Sequence, residues 1–383
     1  MKKINWGLVA LSFLSLFCVG IADNGRSAIY PDILQQLGLT YEQGALLFSI
    51  SSLTGLISTT SAKYWLPNFG IIVPQRFFSI LLIIASTIFG LSFSYFPSYF
   101  LAVVGVGLLG ITMGGLSITM NLSIDQAVPM EYRRKFLSGL HSLYGLSSGF
   151  APVLLIFLTT WGFSFKELYF VIALFPILLF ILSMNTKKFP REEIEKLSLN
   201  NESSKIPFPT IFATASILSF YVCSEVLLSS RFMIICKTLF NLPKEAAQSY
   251  LSLFFMFLTL GRFIFAFIKT KKSNFNILLI SNLISLVFFF LGIKYGPFFF
   301  SLIGLSMAIF FPCAMDYIAV KFGDQFQRGL PVVMNIITVE LISMHLISGV
   351  IEERVGPGII IYFSIALLLL SLLFLIFQSR KTS

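Results

Sequence analysis

The chain has 383 residues, 56% of them hydrophobic and only 11% charged, with a formal net charge of +10. Ordinary soluble domains are about one-quarter charged, so this composition excludes a soluble fold and names lipid as the solvent. The basic excess falls in short loops between apolar runs, where it sets membrane topology instead of forming a nucleic-acid surface.

Inside a bilayer every backbone N–H and C=O needs an internal partner, which leaves helices or a closed barrel. Barrel strands alternate apolar and polar residues over about ten positions. Here the apolar runs are continuous and of helical-span length, so the fold class is an all-α membrane protein.

The chain opens with Lys2 and Lys3 ahead of Leu8–Val19. No small-x-small cleavage site follows, because Asp23, Asn24 and Arg26 interrupt, and Phe17 spoils a lipoprotein site at Cys18. This stretch is therefore read as the first span. Apolar runs lie near 6–34, 43–62, 71–94, 98–124, 136–160 and 166–184. They resume near 209–237, 247–268, 275–294, 297–320, 329–350 and 357–378. The expected organisation is an N-terminal six-helix bundle (1–184), a cytoplasmic linker (185–208) and a C-terminal six-helix bundle (209–383).

The linker carries Lys187, Lys188, Arg191, Glu192, Glu193, Glu195, Lys196 and Lys205. A solvated tether is the favoured reading, over a short amphipathic surface helix at 190–198. Lys and Arg cluster on one side, at Lys63, Arg76, Arg133, Arg134, Lys135, Lys269, Lys271, Lys272, Lys321, Arg328 and Lys381. That asymmetry places both termini in the cytoplasm, with the cytoplasmic (inner) membrane of a bacterium as the expected location. Cys18, Cys223, Cys236 and Cys313 all sit in apolar segments without metal-like spacing, and read as buried small hydrophobes.

The halves echo one another. Leu39–Gly44 ends the loop after span one, and Leu242–Ala247 ends the loop after span seven. Arg134–Phe150 and Arg328–Met344 each open on a basic residue and run into a span, which pairs His141 with Asn335. Weak internal symmetry of this kind marks parallel-repeat transporters and predicts two bundles related by a pseudo-two-fold axis.

Several stretches together resemble the major facilitator superfamily of secondary transporters. Asp23-Asn24-Gly25-Arg26-Ser27, Tyr30-Pro31, Leu39-Thr40 and Gly44 are similar to its first and second spans. Gly107–Asn121, with Gly110, Gly114 and Gly115, resembles the glycine-rich fourth span. Leu140–Gly145, Gly149 and Ala151-Pro152 resemble the fifth, Gly261-Arg262 the end of the eighth, and Gly304–Ala308 with Phe311-Pro312 the tenth. The loop Ala62–Gly70 departs from the pattern, since Pro67 stands where the family usually has an aspartate. Glu225-Val226, Ser229-Ser230 and Gly261-Arg262-Phe263 also look like the fucose/glucose-type proton symporters, although Ser27 stands at that group's aspartate position. The resemblance implies two bundles that rock about a central cavity, with solute bound near the midplane.

Ionisable groups inside spans are costly, by roughly 2.5–3.5 kcal/mol on insertion scales, so they point to function. Asp23 and Arg26 share one helical face at i, i+3. Either they line the cavity, with Arg26 receiving an anionic or hydroxyl group and Asp23 a proton, or they form an internal salt bridge. Glu225 is the second proton-coupling candidate, near Asp23's counterpart in the other half. Arg231 either joins Arg26 in gripping a carboxylate or phosphate through paired hydrogen bonds, or lies at the headgroups. The further candidates for solute contact are Tyr30, Asn121, His141, Tyr144, Tyr221 and Asn335. Glu340 and His345, five positions apart, do not share a face. Asp125 and Asp316 are expected to pair with Arg133, Arg134 or Arg328 at the cytoplasmic ends. Gly105, Gly107, Gly110, Gly114 and Gly115 are expected to allow close helix approach.

There is no Gly-x-x-x-x-Gly-Lys-Ser/Thr loop, no metal-ligand cluster and no implied cofactor. With two histidines in separate spans, a membrane-embedded transferase lacks a catalytic set. The expected activity is therefore not enzymatic: a secondary active transporter of a small polar solute, a sugar or organic anion, coupled to protons and working as a monomer. Drug or metabolite efflux and a non-transporting scaffold are the competing readings.

Overall fold

The computed structural model describes residues 4–186, 207–268 and 273–379. The linker, its 190–198 segment, Lys269, Lys271, Lys272 and Lys381 lie outside the described residues. Every regular element of the described residues is helical, and twelve helices are long and apolar enough to cross a membrane.

The described residues form two compact units. The first runs to Leu39 and resumes at Ile50; the second takes Thr40–Ser49 and everything described from 207 on. The first unit holds α1 (Trp6–Ala28), α2 (Tyr30–Leu37), most of α3 (Tyr41–Phe69), α4 (Ile72–Leu91), α5 (Tyr99–Ala127), α6 (Met130–Thr160), α7 (Leu168–Ile172) and α8 (Phe175–Asn185). The second holds α9 (Phe208–Phe240), α10 (Lys244–Phe267), α11 (Asn274–Tyr295), α12 (Pro297–Met307), α13 (Phe310–Phe322), α14 (Phe326–Val355) and α15 (Ile359–Ser379).

Local chemistry sets several boundaries. Asn5 caps α1 by accepting from Leu8 N (3.3 Å), Ser98 caps α5 through Leu101 N (3.4 Å), and Ser273 caps α11 through Asn276 N (3.3 Å). A capping side chain satisfies an N–H that the helix itself leaves unpaired.

Three expected single spans are broken. Span one stops at Ala28, and α2 restarts with Pro31 in its first turn. Span six restarts at α8 with Pro176 in its first turn, and span ten at α13 with Pro312. Proline lacks an N–H and its ring clashes with the carbonyl four residues back, so a first turn is where it fits. Pro67, Pro152 and Pro331 instead lie inside α3, α6 and α14.

Packing repeats between the units. In the first, α1 packs on α5 and α6, and α4 on α5; in the second, α9 packs on α14, and α11 on α12. The first span thus meets the fifth, and the third meets the fourth, in each. Glycines permit the closest approaches. A Cβ at Gly110 would run into the Ser51 carbonyl, one at Gly114 into that of Gly55, and one at Gly115 into the Phe78 ring. At Gly304 it would strike the Phe254 carbonyl. Gly107 is different, since its Cβ would meet only ordinary contacts at 3.8 Å. Large apolar side chains such as Phe77, Phe100, Phe290 and Leu373 stand exposed, as expected of surfaces that lipid covers.

Candidate functional site

In the first unit the polar chemistry gathers where the last turns of α1 meet α6. Asp23 and Arg26 form an i, i+3 ion pair, with 24% of the Asp23 side chain and 5% of the Arg26 side chain exposed. Arg26 also donates from Nε to the Asp23 carbonyl (3.3 Å). Its position in the last turn of α1 sets positive charge against the helix's unpaired carbonyls, which favour it. Tyr144 of α6 donates its hydroxyl to Asp23 Oδ2 (2.9 Å).

Asn24 extends the cluster. Its Nδ2 donates to Ser148 Oγ (2.8 Å), the Tyr144 hydroxyl (3.2 Å) and the Gly20 carbonyl (3.3 Å). Gly20 admits this approach, because a Cβ there would strike Ser147. From α7, Tyr169 donates to the Ala22 carbonyl (2.7 Å). A guanidinium, a carboxylate, an amide and three hydroxyls thus converge, with Asp23 and Tyr144 left partly exposed.

The other first-unit candidates stand apart from this cluster. Tyr30 is buried just past the break after α1. Asn121 is part-buried on α5 and donates to the Ser117 carbonyl of its own helix (2.7 Å). His141 is exposed on α6, one turn before Tyr144. Arg133 pairs with Asp125 through Nε (2.7 Å), one of the expected pairings at the α5–α6 turn. Asn24 and Ser148 went unrecognised as site members. The available signal was an amide one residue from Asp23 in a span, where it needs a partner.

In the second unit, Glu225 of α9 faces Arg262 of α10, with Nη2 to Oε1 at 3.8 Å and side chains 14% and 13% exposed. One turn earlier, Tyr221 is held by core packing. Its hydroxyl contacts Ser281 Oγ (2.7 Å) and Ser285 Oγ (3.4 Å), and its ring stacks on Phe310 with centroids 3.5 Å apart. Ser281 donates onward to the Ser306 carbonyl (2.6 Å). Both ends of Tyr221 are therefore occupied, and it takes no part in an open site here.

Arg231 occupies neither of its two expected settings. It is fully buried, with Nε 2.9 Å from Glu352 Oε2, and both side chains are 0% exposed. Its guanidinium carbon lies 5.0 Å from the centre of the Phe48 ring, against which His345 also stacks. The guanidinium thus has a carboxylate and an aromatic face as partners within the protein. Asn335 is exposed on α14. All four cysteines are buried free thiols. A cavity of about 400 Å³ between α10, α11 and α12 is lined by Ile264, Phe265, Ile277 and other apolar side chains, and includes none of the candidate residues. Among the described residues no group of three or more His, Cys, Asp or Glu could hold a metal ion.

Comparison with known proteins matches a family profile described as Major Facilitator Superfamily over residues 12–330. Among solved structures, the crystal structure of a Major Facilitator Superfamily transporter, FucP, in the outward conformation aligns with a TM-score of 0.64 at 15% identity. The alignment covers 96% of this chain and 98% of that one. No curated protein matches the chain.

Proposed function

The chain belongs to the Major Facilitator Superfamily and is a secondary transporter integral to the membrane, and we propose that it carries a small polar organic solute, a sugar or an organic anion, together with protons. The reading rests on one observation above the rest: the Asp23–Arg26 pair, braced by Tyr144 and Asn24, with Asp23 still partly exposed.

The chemistry of coupling is competition for an arginine. Arg26 holds Asp23, and Arg262 holds Glu225 more loosely at 3.8 Å. A solute carboxylate, phosphate or hydroxyl that draws the guanidinium to itself leaves the carboxylate without its counter-charge. An uncompensated carboxylate in low dielectric takes up a proton. Solute and proton then bind together, which is what symport requires. Tyr144 offers the solute a hydroxyl, while His141 and Asn335 are exposed polar groups of α6 and α14. Arg231 and Tyr221 leave the solute-contact set, because each is buried and holds partners within the second unit. Alternating access, a monomeric carrier, cytoplasmic termini and residence in a bacterial inner membrane complete the proposal.

The test is uptake into proteoliposomes across a panel of sugars, carboxylates and phosphate esters, with and without a pH gradient. Saturable, gradient-stimulated uptake of one class is expected. Asp23→Asn and Glu225→Gln should lose the stimulation while keeping gradient-free exchange. Undiminished gradient-driven uptake in both variants would reject the coupling assignment.

A further inference from the structure

Glu340 lies midway along α14 (Phe326–Val355), and its surroundings differ from those of Asp23, Glu225 and Glu352. Each of those three carboxylates has an arginine partner. Glu340 faces α9 instead, where Ser216 donates to Oε1 at 3.4 Å, while Ser219, one turn further along α9, has a buried hydroxyl that makes no hydrogen bond among the described residues. α13 and α15 also pack on α14, as does the start of α3 through Phe48 and Ala45, and among the described residues none of these elements forms an ion pair with Glu340. Its second oxygen, Oε2, is buried and meets no protein donor among the described residues.

A carboxylate at this depth is expensive, and an oxygen buried without a donor adds to the cost. Hydroxyl neighbours suit a carboxyl group in either form, because they can donate or accept. Oε2 lacks a donor, and among the described residues no arginine pairs with the carboxyl. We propose that Glu340, hydrogen-bonded by Ser216, is a proton-binding site that loads and unloads without solute. At Asp23 and Glu225, by contrast, proton uptake waits on solute drawing an arginine away. As a transport element Glu340 rests on the proton-coupled reading, giving the carrier a proton-loaded state before solute arrives. As a binding site it stands on its own geometry.

The test needs no solute. Infrared difference spectra of the purified full-length protein in lipid, titrated from alkaline to acid pH, report carboxyl C=O formation. A band is expected that is lost in Glu340→Gln, retained in Asp23→Asn and Glu225→Gln, and kept in Glu340→Asp. Ser216→Ala should move it to higher wavenumber as the hydrogen bond to Oε1 is removed, which tests the site even if Glu340→Gln folds poorly. An unchanged spectrum in Glu340→Gln, or a band that appears only when sodium is withdrawn, would overturn the assignment. Loss of pH-gradient stimulation from transport by the parent protein, with the band intact, would remove the proton-coupled reading and leave the proton site standing.

Discussion

At the scale of single residues, two arginines that look alike in sequence have opposite settings. Arg26 is paired with a partly exposed carboxylate, whereas Arg231 and Glu352 are both sealed. Removing one member of a buried pair strands the other, at roughly 3–5 kcal/mol. Arg231→Met should therefore lower the melting temperature of the detergent-solubilised protein sharply. Arg231→Met with Glu352→Leu should recover most of that loss, and a double variant no more stable than the single would argue against the pair. Tyr144→Phe removes a hydrogen bond to a charged carboxylate, worth about 1.5–3 kcal/mol. It should reduce uptake about tenfold or more while leaving the melting temperature within a few degrees, because the phenyl ring still packs. The identities of Asp23, Arg26 and Tyr144 were legible in the sequence as costly or hydrogen-bonding groups within spans. The partner of Arg231 was not, since Glu352 lies 121 positions away and pairing at that distance is decided by helix packing.

At the scale of helices, the long apolar runs announced themselves, because a span needs about 20 apolar residues whatever surrounds it. Their interruptions were harder to read. Proline ends the helix at Ala28 yet sits inside α3 at Pro67 and inside α6 at Pro152. Neighbouring helices can resatisfy the backbone groups a proline frees, so composition alone does not separate a break from a tolerated proline. The glycines of α5 show the same divide. Gly110 and Gly114 face carbonyls of α3 at a distance that admits no side chain, while Gly107 has room. Gly110→Val should cost more than the 1–3 kcal/mol typical of overpacking, because the obstacle is backbone. Gly107→Ala should be close to neutral. Thermal unfolding of the two variants side by side checks this, and equal losses would remove the distinction between the two faces of α5.

At the scale of the whole chain, composition led to membrane, periodic loops led to two sets of six, and ordered motifs led to the family that the profile match then identified. The cargo was not legible, because the same cluster of arginine, carboxylate and hydroxyl can receive a sugar hydroxyl or an anion. In the proposed mechanism solute and protons move together because solute binding frees Asp23. Its most direct test is proton movement driven by solute alone, in proteoliposomes holding a pH-sensitive dye with no gradient at the start. Adding a transported solute outside should acidify the lumen, and Asp23→Asn should abolish the acidification while solute exchange continues. Solute accumulating in the lumen with no change of internal pH would contradict the claim.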